Sequence, residues 1–271
     1  MKVIAEIGWN HMGDPVLAAE MISAASEAGA HVAKFQYWDP SLLKSGDWDN
    51  DGRREIYNKA ALDLEKINKL EELCESSGCE FLISVFGTKG AELISRQGQG
   101  KVKIPSHETT NVKLLEFASN TFNYIYFSAG ASTTSEIKHA VSVLKGGNAE
   151  FSLLHCVSSY PVKDEFSNLG RLNWLKQFGV PVGLSDHTQS TLVPAISVGL
   201  GAEIIEKHFT IDKNLPGRDN KFALNADEFK IMTESIKVAE VSIIDRGLDF
   251  QEIENDTVNN YRGRWEPDDY S

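Results

Sequence analysis

The sequence predicts an α/β fold, a (β/α)8 TIM barrel. Three observations predict it. Short apolar runs recur eight times, each is followed by a segment with helical spacing, and 271 residues suit a barrel that commonly fills about 250 as one domain. An open doubly wound sheet is the alternative, but eight well-spaced units in this length favour closure.

The apolar runs cover residues 3–9, 31–36, 81–86 and 102–106, then 124–128, 151–157, 182–185 and 204–209. Most are near-continuously apolar, as strands are when both faces of a parallel sheet are covered. A helix is expected over 15–28, because Asp14 is an N-cap residue, Pro15 takes the first helical position and Gly29 ends it. Further helices are expected over 62–76, 88–97, 112–119 and 134–144. The last of these opens with Thr133 and, three residues on, Glu136, the spacing of a capping box. Segments 169–178, 191–199 and 226–244 complete the set. Residues 37–61 break the rhythm as a polar insertion, expected to fold over the barrel mouth. The division is therefore a catalytic barrel over 1–248 and an acidic C-terminal tail over 249–271 that embeds Arg262, Arg264 and Trp265.

The net charge of −12 and pI near 5.1 argue against nucleic acid and anionic membrane surfaces as partners, since both are bound through basic residues. The charge leaves room for a small anion met by a few local cations. Cys74, Cys79 and Cys156 have no zinc spacing, and Cys156 lies in an apolar run, where a free thiol packs as a small hydrophobe. The N-terminal apolar stretch is too short for a signal peptide, and no run approaches 18 apolar residues; the cytoplasm is the expected location.

Active sites of such barrels lie at the C-terminal strand ends. Those ends carry Glu6, then Lys34 and Gln36, Ser84 and Phe86, and Lys103 with Ser106 and Glu108. Ser128, His155, Ser158 and Tyr160 follow, then Ser185, Asp186 and His187, and finally Glu206 and His208. Charged groups inside apolar strands are costly unless paired or used. Two lysines with several serines and carboxylates at one mouth point to an anionic, oxygen-rich substrate. Singly, each has a plainer role: an ion pair for a lysine, a turn or cap for a serine, a satisfied core position for a histidine. His187 and His208, near the ends of adjacent strands, can together offer two imidazoles to one divalent ion.

These residues stand in motifs that resemble the sialic acid synthase family, which includes the legionaminic and pseudaminic acid synthases. The stretches are Ala5-Glu6-Ile7-Gly8 with Asn10-His11, Gly29-Ala30 leading to Lys34-Phe35-Gln36, and Val102-Lys103-Ile104 to Glu108. Leu154-His155-Cys156 to Tyr160-Pro161 and Gly183-Leu184-Ser185-Asp186-His187-Thr188 follow. Gly201-Ala202 through Ile205-Glu206-Lys207-His208-Phe209 and Leu215-Pro216-Gly217-Arg218-Asp219 complete the series. The ordered series runs through residues 3–245.

The resemblance implies an enzyme that joins C3 of phosphoenolpyruvate to the C1 aldehyde of an N-acetylmannosamine-like sugar. Water is consumed and phosphate leaves by C–O cleavage, giving a nine-carbon 2-keto-3-deoxy acid. It implies that His187 and His208 hold Mn²⁺, or Mg²⁺ or Co²⁺, as a Lewis acid for the aldehyde oxygen. Lys34, Lys103, Ser106, Ser128 and Ser185, with Ser84 and Ser158, match phosphoenolpyruvate positions. Glu6, Glu108 and Asp219 match carboxylates around the sugar and the reacting centre, so these three and the two lysines form the catalytic set. Gln36, Phe86, Tyr160 and Glu206 match residues that line the site.

The resemblance is incomplete. The family usually carries a C-terminal antifreeze-like domain, donated across a dimer, which brings an Arg to the sugar's N-acetyl group. It has no counterpart before Ser271, nor does the usual N-terminal hairpin appear. A homodimer, or a separate chain carrying the antifreeze-like domain, is the expected partner. Arg218, or Arg262 and Arg264, can replace the missing cation. Trp9 and His107 stand where smaller residues are usual; Trp9 reads as a core plug or as a group narrowing the pocket, and His107 as a site or surface residue. Ser158 replaces an amide side chain. The rival readings are a Schiff-base aldolase using Lys34 or Lys103, a 3-deoxy-sugar-phosphate synthase, and an inactive or partner-dependent sugar-binding barrel.

Overall fold

Parallel pairing runs strand by strand around the molecule until the eighth strand bonds back to the first, closing a barrel. The computed structural model describes residues 1–265. The strands are β1 (Lys2–Gly8), β2 (Val32–Tyr37), β3 (Glu80–Val85), β4 (Lys101–Ile104), β5 (Tyr124–Ser128), β6 (Glu150–Cys156), β7 (Val182–Asp186) and β8 (Ile204–His208). Each falls within two residues of an apolar run.

The helices are α1 (Pro15–Glu27), α2 (Arg53–Ala60), α3 (Leu64–Ser76), α4 (Gly87–Arg96), α5 (Val112–Thr121), α6 (Thr134–Lys145), α7 (Arg171–Leu175), α8 (Val193–Gly199), α9 (Ala226–Ser242) and α10 (Asn255–Asn260). The Asp14 side chain accepts from the backbone N–H groups of Val16 and Leu17, satisfying donors that the first turn of α1 leaves free. Thr133 and Glu136 form the expected capping box on α6. The insertion is more ordered than its polarity suggests. It holds two 3₁₀ turns and α2, anchored where the Trp38 indole donates to the Tyr57 carbonyl at 3.1 Å. The segment 169–178 is shorter than its spacing predicts: α7 passes into a 3₁₀ turn that Gly179, at φ 69°, ends. The tail holds a 3₁₀ turn and α10; its residues 266–271 lie outside the described residues. Among the described residues, no helix is long and apolar enough to cross a membrane.

Side chains alternate between the two faces of a strand. Outward residues such as Phe35, Ile83, Phe127 and Ile205 pack under the helices as the main core. Inward, Ile4, Val32, Leu82, Tyr126, Leu154 and Ile204 meet as a separate apolar floor. Each such aliphatic side chain, fully buried, contributes about 1.5–3 kcal/mol. Two residues further along the same strands, the same face presents Glu6, Lys34, Ser84, Ser128, Cys156 and Glu206. The apolar layer closes the barrel, and a polar layer stands on it.

The alternation also removes two strand-end candidates from the mouth. The Nε2 of buried His155 lies 2.7 Å from the Ser167 carbonyl. The Asp186 carboxylate receives the Lys207 ammonium at 2.5 Å, which also donates to the Thr188 and Ser190 carbonyls. Neither His155 nor Asp186 lines the barrel cavity.

Candidate active site

A cavity of about 510 Å³ occupies the C-terminal mouth of the barrel. Its lining includes Glu6, Lys34, Gln36, Ser84, Phe86, Lys103, Ser106, Glu108, Ser128, Tyr160, Ser185, Glu206, Asp219 and both histidines, His187 and His208. Of the catalytic, substrate and metal positions that the family resemblance implies, Ser158 alone is not in that lining; its Oγ sits 3.7 Å from the Cys156 sulfur.

Two buried ammonium groups organise the floor. The Lys34 Nζ donates to Ser84 Oγ at 2.9 Å and stands 2.6 Å from Glu6 and 3.7 Å from Glu206. Lys103 Nζ donates to Ser128 Oγ at 2.6 Å and lies 3.6 Å from Glu206. Ser185 Oγ also donates to Glu206, at 3.0 Å, so this carboxylate joins β2, β4 and β7. Gln36 Nε2 donates to Glu6. Gly8, just beyond Glu6, adopts φ +58°; a Cβ there would press within 3.2 Å of both the Gln36 amide and the Glu6 carboxylate. On the rim, Asn111 donates to Glu108 at 2.7 Å, while the Gly130 N–H donates to Ser106 Oγ at 2.9 Å.

Burial sets the protonation behaviour of these groups. It raises the Glu6 carboxyl, helped by the Glu206 charge and opposed by Lys34. It lowers Lys103, and the Lys34 charge adds to that effect. Lys34 moves the other way: burial opposes its charge, but Glu206 and Glu6 together raise it. Glu206 resists its own burial because Lys103 and Lys34 hold it below the usual carboxylate range. Burial lifts Asp219 to about 7.

The imidazole pair stands at the ends of β7 and β8, with ring centroids 5.4 Å apart. His187 Nδ1 lies 2.9 Å from the Val157 carbonyl. A carbonyl only accepts, so Nδ1 carries the hydrogen and Nε2 remains the ligating nitrogen once the ring is neutral. His208 is held neutral by burial and by the His187 charge, and its Nδ1 is buried without a hydrogen-bond partner. The Asp219 carboxylate stands 3.8 Å from that nitrogen. Among the described residues no group of three His, Cys, Asp or Glu side chains converges as a metal cage. An ion here would have the two imidazoles as its protein donors, with its other positions left to substrate and water.

Several lining residues escape a reading of the sequence alone. Cys156 is the buried free thiol expected, and it also borders the cavity, its sulfur 3.8 Å from His187 Nδ1. Burial works to raise this thiol, yet His187 draws it down to about 7. Its phase in β6, two residues past floor residue Leu154, is the signal that could have found it. The insertion contributes Trp38, Asp39, Leu42, Leu43 and Tyr57 to the wall. Trp9 packs against Trp38 and Tyr57 and also lines the cavity, and His107 reaches the cavity stacked on Phe86 at 5.2 Å. Arg218 lines the cavity; Arg262 and Arg264 do not.

Against known proteins, the NeuB family profile matches residues 21–246. The chain is 36% identical over 255 residues to the N,N'-diacetyllegionaminic acid synthase of Legionella pneumophila, covering 88% of this chain and 72% of that one. It is 36% identical over 249 residues to the pseudaminic acid synthase of Helicobacter pylori, covering 87% and 73%. The crystal structure of the N-acetylneuraminic acid synthetase of Leptospira borgpetersenii, in complex with citrate, superposes with a TM-score of 0.86 at 32% identity. That match covers 97% of this chain and 92% of the other.

Proposed function

The chain belongs to the NeuB family, and on that premise we propose that it condenses phosphoenolpyruvate with an N-acetylmannosamine-like sugar aldehyde. The products are a nine-carbon 2-keto-3-deoxy acid and phosphate. The observation that carries this reading is the pair Lys34 and Lys103, each bonded to a serine hydroxyl in the buried layer beneath two facing imidazoles.

Ammonium and hydroxyl groups give charge-assisted bonds to phosphate and carboxylate oxygens. Lys34, Lys103, Ser84, Ser106, Ser128 and Ser185 hold phosphoenolpyruvate against the floor, its C3 turned to the sugar. The enol carbon is a weak nucleophile, so placement must lower much of the barrier. When bound to His187 and His208, Mn²⁺, Mg²⁺ or Co²⁺ supplies Lewis acidity to the aldehyde oxygen. The C3–C1 bond forms and the aldehyde oxygen takes a proton; water then adds at C2 and gives up one proton, and as the C2–O bond to phosphate breaks the remaining hydroxyl proton passes to the departing phosphate, leaving the C2 ketone. Glu6, Glu108 and Asp219 are the carboxyls placed to move those protons. Gln36 orients Glu6, and Phe86 and Tyr160 wall the site with Glu206 beneath. Ser158 acts through the Cys156 side of the site. A homodimer, or a separate chain carrying an antifreeze-like domain, completes the sugar end, and phosphoenolpyruvate places the work in the cytoplasm.

A Schiff-base aldolase needs a lysine free to lose its proton; Glu6 and Glu206 raise Lys34, whereas burial lowers Lys103, so that rival turns on Lys103. The deciding measurement is phosphate release from phosphoenolpyruvate with Mn²⁺ across a panel of sugar aldehydes. Release is expected to require both the metal and one class of sugar. Metal-free borohydride trapping of a pyruvate adduct would replace this reading with the aldolase.

A further inference from the structure

A second depression lies beside the catalytic cavity, between the insertion and the loop that follows β8. Asp51, Arg53 and Ile56 line one side of it, and residues 214–218 with Lys221 line the other. Arg218 belongs to both walls, so the depression opens at the lip of the barrel mouth. Three cations meet one carboxylate there, in a chain whose net charge is −12. Arg53 stands 2.6 Å from Asp51, and Arg53 first, then Arg218, holds that carboxyl below its usual range. Elsewhere on the insertion and the β8 loop, Arg54, Lys59 and Lys213 each have a carboxylate within 3.0 Å. Among the described residues Arg218 and Lys221 have none at ion-pair distance.

Cations left without partners in a concave site suit an anion taken from solution. A guanidinium beside an ammonium suits phosphate in particular, because the planar fork meets two oxygens at once and the ammonium adds a point charge. The position also answers a physical need. A protein of net charge −12 repels phosphate groups, and the lysines of the barrel floor are already matched by Glu6 and Glu206. Positive charge at the lip offsets that repulsion along the way in and out.

We propose that Arg53, Arg218 and Lys221 form a second phosphate-binding site at the lip of the mouth, separate from the floor where the condensation takes place. Its ligand is a phosphate group, either that of phosphoenolpyruvate on entry or the free phosphate on departure. The site is read from its own charges; its link to phosphoenolpyruvate rests on the condensation reading.

The test needs no turnover. Inorganic phosphate and, separately, phosphoenolpyruvate are titrated into the full chain without metal or sugar, and the backbone amide signals of residues 214–221 are followed by NMR. Lys221→Glu reverses an exposed charge and Arg53→Gln removes another; neither residue lines the catalytic cavity, so kcat should hold in both. Inorganic phosphate should move the wild-type signals, with a midpoint at least about threefold higher in each variant. Movement by phosphoenolpyruvate that Lys221→Glu likewise weakens places the site on the substrate's path. In that case kcat/KM for phosphoenolpyruvate should fall at least about threefold in Lys221→Glu at low salt, and the difference should close at high salt. Movement by inorganic phosphate alone assigns the site to the departing product. Signals that stay still with both ligands, or that move equally in the wild type and both variants, overturn the site even where phosphate release upholds the condensation. A failed condensation leaves the phosphate titration free to succeed, so the two readings fall separately.

Discussion

Lys34 and Glu6, register partners on β2 and β1, meet at 2.6 Å with almost no contact with solvent. A buried pair of this kind is expensive to break from one side, because the charge left behind has neither water nor partner. Lys34→Met should cost about 3–5 kcal/mol of stability and abolish phosphate release. Lys34→Met combined with Glu6→Gln should recover part of the stability, read as Tm, but none of the activity. Recovery of both would make the pair structural and leave phosphoenolpyruvate without this anchor.

The metal reading makes a separate claim about β7 and β8. Replacing His187 or His208 by Gln should weaken Mn²⁺ binding at least about tenfold, measured by calorimetry on the folded protein, and EDTA should stop phosphate release. Unchanged release in EDTA would remove the ion from the mechanism.

Lys207 acts at a distance from the cavity. Its ammonium holds Asp186 and the Thr188 and Ser190 carbonyls, and so fixes the turn that carries His187. Lys207→Met should lower Tm by leaving Asp186 buried and unpaired. It should also weaken Mn²⁺ binding without touching the site. An unaltered Mn²⁺ affinity would confine Lys207 to stability.

Acid should destabilise the fold through His11. Burial holds its imidazole down to about 4; Nδ1 accepts from the Gly13 N–H at 3.1 Å, and Nε2 is buried without a partner. The unfolded chain, with an ordinary value of 6.5, binds this proton more readily than the folded one. Stability is therefore full above about pH 6.5 and falls as the pH drops towards 4, by a sum on the order of 3 kcal/mol. His11→Phe should flatten that part of the stability profile measured by urea unfolding. An equal slope in both proteins would place the acid sensitivity elsewhere.

The tail arginines make the opposite prediction from the one their charge suggests. Arg264 stacks over Tyr261 at 4.7 Å, and neither it nor Arg262 lines the cavity. Deleting residues 251–271 should leave the sugar KM unchanged, whereas Arg218→Ala should raise it. A raised KM on deletion would bring the tail of a second copy into the site.

The barrel and the lysine–serine layer were legible because both follow from local rules. Apolar runs of four to seven residues mark strands buried on both faces, and a period of two carries Ile4 to Glu6, Val32 to Lys34 and Leu82 to Ser84. The family motifs added roles that spacing alone left open. Cys156 is the buried free thiol expected, but its place beside the cavity was not legible, because an apolar neighbourhood in sequence says nothing of which face a side chain takes. The insertion folds over the mouth as its place in the chain suggested, but its order was not legible, because it comes from Trp9, some thirty residues earlier, packing on Trp38 and Tyr57. By itself, then, the sequence determined the strand order, most of the inward set and the charge at the mouth, all properties of short-range periodicity and composition. Tertiary structure alone decided which nitrogen of His187 is left to ligate and which carboxyl sits between two lysines. Those depend on closure of the barrel, which brings side chains distant in sequence into contact where water cannot screen or satisfy them.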